Sequence, residues 1–490
     1  MFKIEEEYQY PDSPKKLINK TYYLIKPFAK VKICSKNNEI IYKIIEPKLT
    51  KEEKEILDEI TEDILQTLDK SPNEIENKEE LIKYLYSIGT EILSKRNIKL
   101  SDRSFNKLMY YVYRDFVGLN EIEPLMHDDY IEDINCNGLN VPVFIRHRLL
   151  GNTPTNLIYR DRQKLKNFII KLAQRCNKYI TYSEPFLEGS LKDGSRIQGT
   201  ISEEISPNGP NFSIRKFQKI PYSPTELIKM NSISSDSLAY LWYLIEKGLN
   251  ILIIGGAGSG KTTLLNAISA FIPEKAKIVS IEDTREIKLY HENWIATVSR
   301  ESIGGLEIGK VDLYKLLKES FRENPDYVIV GEVRGEETYV MFQGMASGHP
   351  TLSTFHAEDV DSVVDRLRTP PINLPASLVE LLDIVITVIK IDKENYIYRR
   401  VLKIEEFLSI DERTERINTN PIHIWDSKTD KFNFNLDSRL LDKIAINYGT
   451  NAEEIKKEIS KRKKFLDNLV KRKIFNFFEV SKEISKYTNK

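Results

Sequence analysis

Ile251-Leu252-Ile253-Ile254-Gly255-Gly256-Ala257-Gly258-Ser259-Gly260-Lys261-Thr262 is an apolar run that stops at a glycine-rich loop ending in Gly-Lys-Thr. It reads as a buried strand feeding a phosphate cradle. The glycines let the backbone curl so that successive N–H groups can point inward at phosphate oxygens. Lys261 then meets the β- and γ-phosphates, and the Thr262 hydroxyl can ligate Mg²⁺. A helix opening at Thr262 and Thr263 and running through Leu264, Leu265 and Ile268 puts its positive end at the same spot. The expected nucleotide contacts are therefore Gly255, Gly256, Ala257, Gly258, Ser259, Gly260, Lys261, Thr262 and Thr263. ATP with Mg²⁺ is the expected ligand.

Composition sets the outer limits. A chain of 490 residues, 41% hydrophobic and 30% charged, allows two or three domains, each with its own core. No uncharged apolar run is long enough to span a bilayer. The N-terminus, Met1-Phe2-Lys3-Ile4-Glu5-Glu6-Glu7, has no apolar core of signal-peptide length, so a cytoplasmic location is expected. Cys34, Cys136 and Cys176 form no CxxC pair, which speaks against a zinc or disulfide framework. Zero formal charge withholds support from a general nucleic-acid binder.

Along the chain, residues 1–117 read as a mixed region. Three β-like runs, Tyr22–Ile25, Ala29–Ile33 and Ile40–Ile45, suggest a small sheet. The periodic set Ile56, Leu57, Ile60, Ile64, Leu65 and Leu68 then predicts an amphipathic helix, with two more around Leu81–Leu93 and Phe105–Phe116. Residues 118–219 read as an α/β domain, with an Asn-Gly hairpin around Asn137-Gly138 and a helix over Asp161–Asn177. Within it Arg196 and Arg215 fall on strand ends; surface arginines would need no further explanation. Residues 220–235, which include Pro221 and Pro224 and lack periodicity, read as a linker. Residues 236–435 alternate strands and helices, the pattern of a mostly parallel sheet, and 436–490 as a charged helical appendage.

In that sheet three predicted strands end in an ionisable group. Lys277–Ile281 runs into Glu282-Asp283, Tyr327–Val330 into Gly331-Glu332, and Thr351–Phe355 into His356. In open parallel sheets ligands bind at the carboxyl ends of the strands, so these groups converge on the phosphate site. Glu332 takes the position of a metal-organising acid; Asp326 sits at the wrong end of its strand. Glu282 is the better group for orienting or deprotonating an attacking water, a helix cap being the other reading of that acid pair. His356 reads either as a γ-phosphate sensor or as a core histidine. Arg285 and Arg300 stand just downstream of the acidic strand end and could meet phosphates.

Taken together, the loop Gly255–Thr262, the acidic box Ile281–Glu286, the stretch Val328–Gly335 and the histidine box Gly348–Ala357 resemble the type II/type IV secretion ATPase superfamily. Asp128–Gly138, Asn208–Phe217, Arg366–Asn373 and Ser438–Ile444 look most like its archaeal branch. The resemblance implies a homohexamer whose subunits carry an N-terminal region and a RecA-like P-loop NTPase domain, with nucleotide between them. It implies that Arg196 and Arg215 approach the nucleotide from the N-terminal side. It also implies Glu282 as general base and Glu332 as the metal-organising acid, which Thr262 joins at the metal and Lys261 and His356 join in the reaction on the reading of the residues above. The implied partner is a polytopic membrane platform protein, reached at the inner face of the cell membrane, in an archaellum, pilus or secretion machine. Pro350 and Phe355 stand where members usually carry other residues, and the tetracysteine zinc element of bacterial members is absent. The competing expectation is a RecA-like motor that translocates nucleic acid. A small-molecule kinase would need an acceptor pocket, which the sequence does not display.

Overall fold

The computed structural model describes residues 17–36, 39–67, 78–217, 220–300, 309–393, 396–411 and 416–489. The N-terminal segment Met1–Glu7 and Leu68 lie outside them. The chain divides into two compact units, one up to Phe217 and one from Gln218 onward.

In the first unit, strands β1 (Thr21–Ile25), β2 (Ala29–Lys36) and β3 (Glu39–Ile45) precede helices α1 (Lys51–Thr67), α2 (Lys78–Lys95), α3 (Asp102–Phe116) and α4 (Glu123–Met126). Then come β4 (Ile131–Cys136), β5 (Pro142–His147), β6 (Gly151–Ile158), α5 (Arg162–Arg175), β7 (Phe186–Ser190), β8 (Arg196–Thr200) and β9 (Asn211–Arg215). The three amphipathic stripes close on one another: Ile60 and Ile64 of α1, Leu85 and Ile88 of α2, and Leu108, Met109 and Val112 of α3 share one core.

The sheet order is β1-β2-β3-β6-β5-β4-β9-β8-β7. It runs on through the boundary expected near residue 117, because β3 meets β6 at Tyr42 and Thr155. The Asn156 amide completes that joint: its Oδ1 accepts from Ile44 N at 2.7 Å and its Nδ2 donates to Ile44 O at 3.0 Å.

The second unit opens with α6 (Pro224–Lys229) and α7 (Ser235–Glu246), then β10 (Ile251–Ile254), α8 (Lys261–Ser269), β11 (Ile278–Glu282) and β12 (Trp294–Val298). It continues with α9 (Leu313–Arg322), β13 (Tyr327–Val333), α10 (Glu337–Ala346), β14 (Thr351–Phe355), α11 (Val360–Arg368) and α12 (Ala376–Val379). Strands β15 (Ile384–Lys393), β16 (Tyr396–Asp411), β17 (Arg416–Asp426) and β18 (Lys431–Phe434) and helices α13 (Arg439–Tyr448), α14 (Ala452–Lys471) and α15 (Phe477–Thr488) complete it. The sheet order is β12-β11-β13-β14-β10-β15-β16-β17-β18, parallel as far as β15 and antiparallel beyond. Strands β10, β11 and β14 are buried at every residue, as strands covered on both faces must be.

One expectation needs correction. Residues 220–235 are packed structure rather than a bare linker. Ser223 caps α6 by accepting from Glu226 N at 3.1 Å, Thr225 Oγ1 donates to Ile474 O at 2.8 Å, and Pro224 to Leu227 are buried. Helix α6 is under two turns long, too short for a 3.6-residue period to show, and α7 is buried nearly all round and so carries no stripe. The C-terminal helices pack on this unit. Arg462 of α14 pairs with Glu246 at 2.9 Å and lies over the Trp242 ring, 4.9 Å from its centroid.

Asn156→Ala leaves the two polar groups of Ile44 without that bracket, at an expected cost of about 1–2 kcal/mol. Hydrogen exchange should show it as faster exchange at the Ile44 amide, with the α1–α3 core unchanged.

Candidate nucleotide site

The sheet register brings the ionisable strand ends level. Ile254, the last residue of β10, pairs with Phe355 of β14, and Phe355 pairs with Val333 of β13. His356 therefore begins level with Gly255, the first residue of the loop, with Glu332 one strand further on. Strand β11 lies beyond β13, pairing Ile281 with Val330, and ends at Glu282. A methyl built on Gly331 would stand 3.3 Å from Glu282 Cγ, so the two acidic strand ends are in close contact.

The loop is a cradle that only glycine permits. At Gly255, φ is +150° and an added Cβ would stand 2.2 Å from Val388 O. Lys261 Nζ lies inside, donating to Gly255 O at 3.0 Å and Gly256 O at 3.2 Å. Burial lowers the Lys261 pKa, while the nearby charge of Glu332 favours the protonated form. Ser259 Oγ is buried with no hydrogen-bond partner among the described residues. Thr262 and Thr263 form the first turn of α8, as expected.

Glu282 is 2% exposed. Its Oε1 accepts from the backbone N–H of Glu286 at 2.7 Å and of Ile287 at 2.8 Å, while Oε2 is buried without a partner among the described residues. Burial pushes its carboxyl up to about 7, against those two N–H groups, which pull it down. Asn266 of α8 holds the following turn, donating to Glu286 O at 2.8 Å and accepting from Lys288 N at 3.0 Å. One oxygen caps a turn that no helix follows, so the helix-cap reading does not hold, and the other oxygen is without a partner among the described residues. Asp326 serves structure, its Oδ2 accepting from Lys277 N at 2.7 Å.

Glu332 is half-buried and engaged by Arg334, whose Nε donates to its Oε2 at 3.1 Å. Glu337 holds that turn from α10, accepting from Arg334 N at 2.6 Å and Gly335 N at 2.8 Å. His356 is exposed, which sets aside the core reading; its carbonyl accepts from Arg366 of α11. Arg285 lies over the Trp294 ring at 5.9 Å and Arg300 Nε donates to Gly309 O at 2.8 Å, so both have contacts on the neighbouring loop and strand. Arg334, Glu337 and Asn266 were not singled out from the sequence, where each is an ordinary polar residue beside a motif.

In the first unit, Arg196 and Arg215 stand directly opposite each other on β8 and β9. The row continues through Asp133 of β4 and Arg146 of β5, and residues opposite one another share a face. Arg215 Nε lies 3.5 Å from Asp133 Oδ1, its side chain 64% exposed.

Comparison with known proteins gives this geometry a family. A model described as type II/IV secretion system protein matches residues 155–394. A protein of Methanocaldococcus jannaschii is 35% identical over 463 residues, which cover 90% of this chain and 83% of that one. The chain belongs to the type II/IV secretion-system ATPase family. The conjugal transfer protein TrbB of Rhizobium radiobacter, 30% identical over 241 residues, is matched over 47% of this chain and 71% of its own length. Among solved structures, the Legionella pneumophila ATPase DotB matches over 77% of this chain and 92% of its own, at 16% identity and a TM-score of 0.42. Members of this secretion ATPase family hydrolyse ATP, the chemistry for which the strand ends described above carry suitable groups.

The elevated Glu282 pKa predicts a pH-dependent stability. Between about 4.5 and about 7 the folded carboxyl keeps a proton that the unfolded chain has released, so stability falls as pH rises through this window. Glu282→Gln keeps the shape without the titration. Unfolding free energies should be equal at pH 4 and favour the variant above pH 7, by an amount on the order of 1–3 kcal/mol.

Proposed function

We propose that this chain is a Mg²⁺-dependent ATPase motor: a RecA-like engine that drives assembly or movement of an archaellum, a pilus-like filament or a secretion machine. The observation that carries this reading is the convergence of the glycine loop, Glu282, Glu332 and His356 on adjacent strand ends. Phosphoryl transfer to water needs positioning and charge stabilisation more than covalent chemistry, and this set provides both.

The residues take distinct parts. Backbone N–H groups from Gly255 to Thr263 and the Lys261 ammonium hold the phosphates. Thr262 and Glu332 are the residues that would hold Mg²⁺, and their oxygen donors suit it. When bound, the ion neutralises charge on the β- and γ-phosphates. Glu282 Oε2 accepts a proton from water as the water oxygen bonds the γ-phosphorus and ADP leaves. A carboxyl near pH 7 is matched to that task. His356, exposed at its strand end, donates to the γ-phosphate. Arg196 and Arg215, side by side on one face of the first unit, are further cations whose loss should slow turnover.

In this reading six copies form a ring at the inner face of the cell membrane, opening and closing around ATP and working on a polytopic platform protein. Opening and closing follow from different affinities of the two states for ATP and ADP. Among the described residues no helix is long and apolar enough to cross a membrane, in keeping with attachment through such a partner.

The test is steady-state hydrolysis by the purified chain with Mg²⁺, its oligomers resolved by size. Glu282→Gln and Glu332→Gln should each lower turnover by about 10²-fold or more while ATP still binds, and Arg215→Ala by about tenfold or more. Turnover that appears only when DNA is added would replace the secretion motor with a nucleic-acid motor.

A further inference from the structure

Arg399, in β16, reaches the phosphate loop from outside. Its Nε donates to Gly258 O at 3.0 Å, and a methyl built on Gly260 would stand 3.2 Å from its Cδ. The guanidinium and its stem thus both lie on the loop. The sheet delivers it there: β15 pairs in parallel with β10, the strand that ends in the loop, and pairs Lys390 with Arg399 of β16.

The opposite side of the loop holds Lys261. Its Nζ donates to Gly256 O at 3.2 Å, and the Ser259 N–H donates to the same oxygen at 3.3 Å, a bond that phosphate would replace. The Ser259 N–H is therefore turned toward the interior where the lysine lies. In a planar trans peptide the C=O of one residue and the N–H of the next point in opposite directions. Gly258, with φ +69° and no Cβ, offers little resistance to rotation of the peptide that follows it. Whatever holds its carbonyl outward holds the Ser259 N–H inward.

We propose that Arg399 is a positioning residue for the phosphate loop: it pins the Gly258–Ser259 peptide so that the Ser259 N–H faces bound phosphate. The inference rests on the nucleotide binding proposed above. It does not come from the family match, which ends at residue 394. Arg399 acts on binding and leaves the reacting groups at Glu282 and Glu332 alone.

The experiment measures ADP and ATP binding by calorimetry, and kcat and KM, on the full chain as wild type, Arg399→Met, Arg399→Lys and Lys261→Ala. Arg399→Met should weaken both nucleotides by about tenfold, the worth of one charge-assisted hydrogen bond, with kcat at saturation within about twofold of wild type. Arg399→Lys, which can still donate to Gly258 O, should recover most of the affinity. Unchanged binding by Arg399→Met overturns the proposal. So does a loss confined to kcat, which would put Arg399 in the reaction. Failure of Arg399→Lys to rescue, with its melting temperature unchanged, overturns it as well, because the guanidinium would then be contacting nucleotide directly. If the wild type binds no better than Lys261→Ala, the nucleotide-site reading fails first, and the two failures are told apart.

Discussion

A carbonyl oxygen decides what the phosphate loop can be. Val388 O comes within 2.2 Å of the place where a side chain at Gly255 would begin, so the loop must open on a residue without one. That approach exists because β10 and β15 run side by side, Ile254 opposite Thr387; on the other side of β15 the pairing with β16 skips Leu402 between Thr387 and Val388. Around this point the loop is gripped from two sides. Lys261 draws the carbonyls of Gly255 and Gly256 inward, and Arg399 draws that of Gly258 outward. The cradle is thus shaped by its own cation and by a strand more than a hundred residues downstream.

The same packing prepares the acids. A carboxylate loses hydration when buried and its pKa rises unless donors compensate. Glu282 receives two backbone N–H groups on one oxygen and none on the other, which leaves it near neutrality rather than fully protonated. Glu332, less buried, is paired with Arg334. Two glutamates at neighbouring strand ends are thereby given different surroundings, one buried against backbone N–H groups and one paired with an arginine.

Much of this was legible locally. The loop, the two glutamates and the histidine at strand ends and the buried parallel strands follow from short patterns in which each residue's neighbours are its neighbours in sequence. The long amphipathic stripes of α1 to α3 were equally plain, since their period repeats several times. Helix α6 was not, being shorter than two turns. The N-terminal strands were visible as strands, but not their union with β6, which rests on one bridge and the Asn156 amide. Arg399 carried no signal, standing in a strand of mixed polar and apolar residues whose register the sequence does not state.

By itself the sequence determined the chemistry on offer: a glycine loop with its lysine and threonine, two glutamates and a histidine at strand ends, and two arginines on strands of another unit. These are properties of short segments, written in side-chain type and backbone freedom. Only the tertiary structure decided which of them meet. Strand order set Glu282 beside Gly331 and His356 level with Gly255, and strand register set Arg196 opposite Arg215. The physical reason is that pairing between distant strands is chosen by the burial of whole faces and by loop lengths, quantities summed over the unit and carried by no single motif.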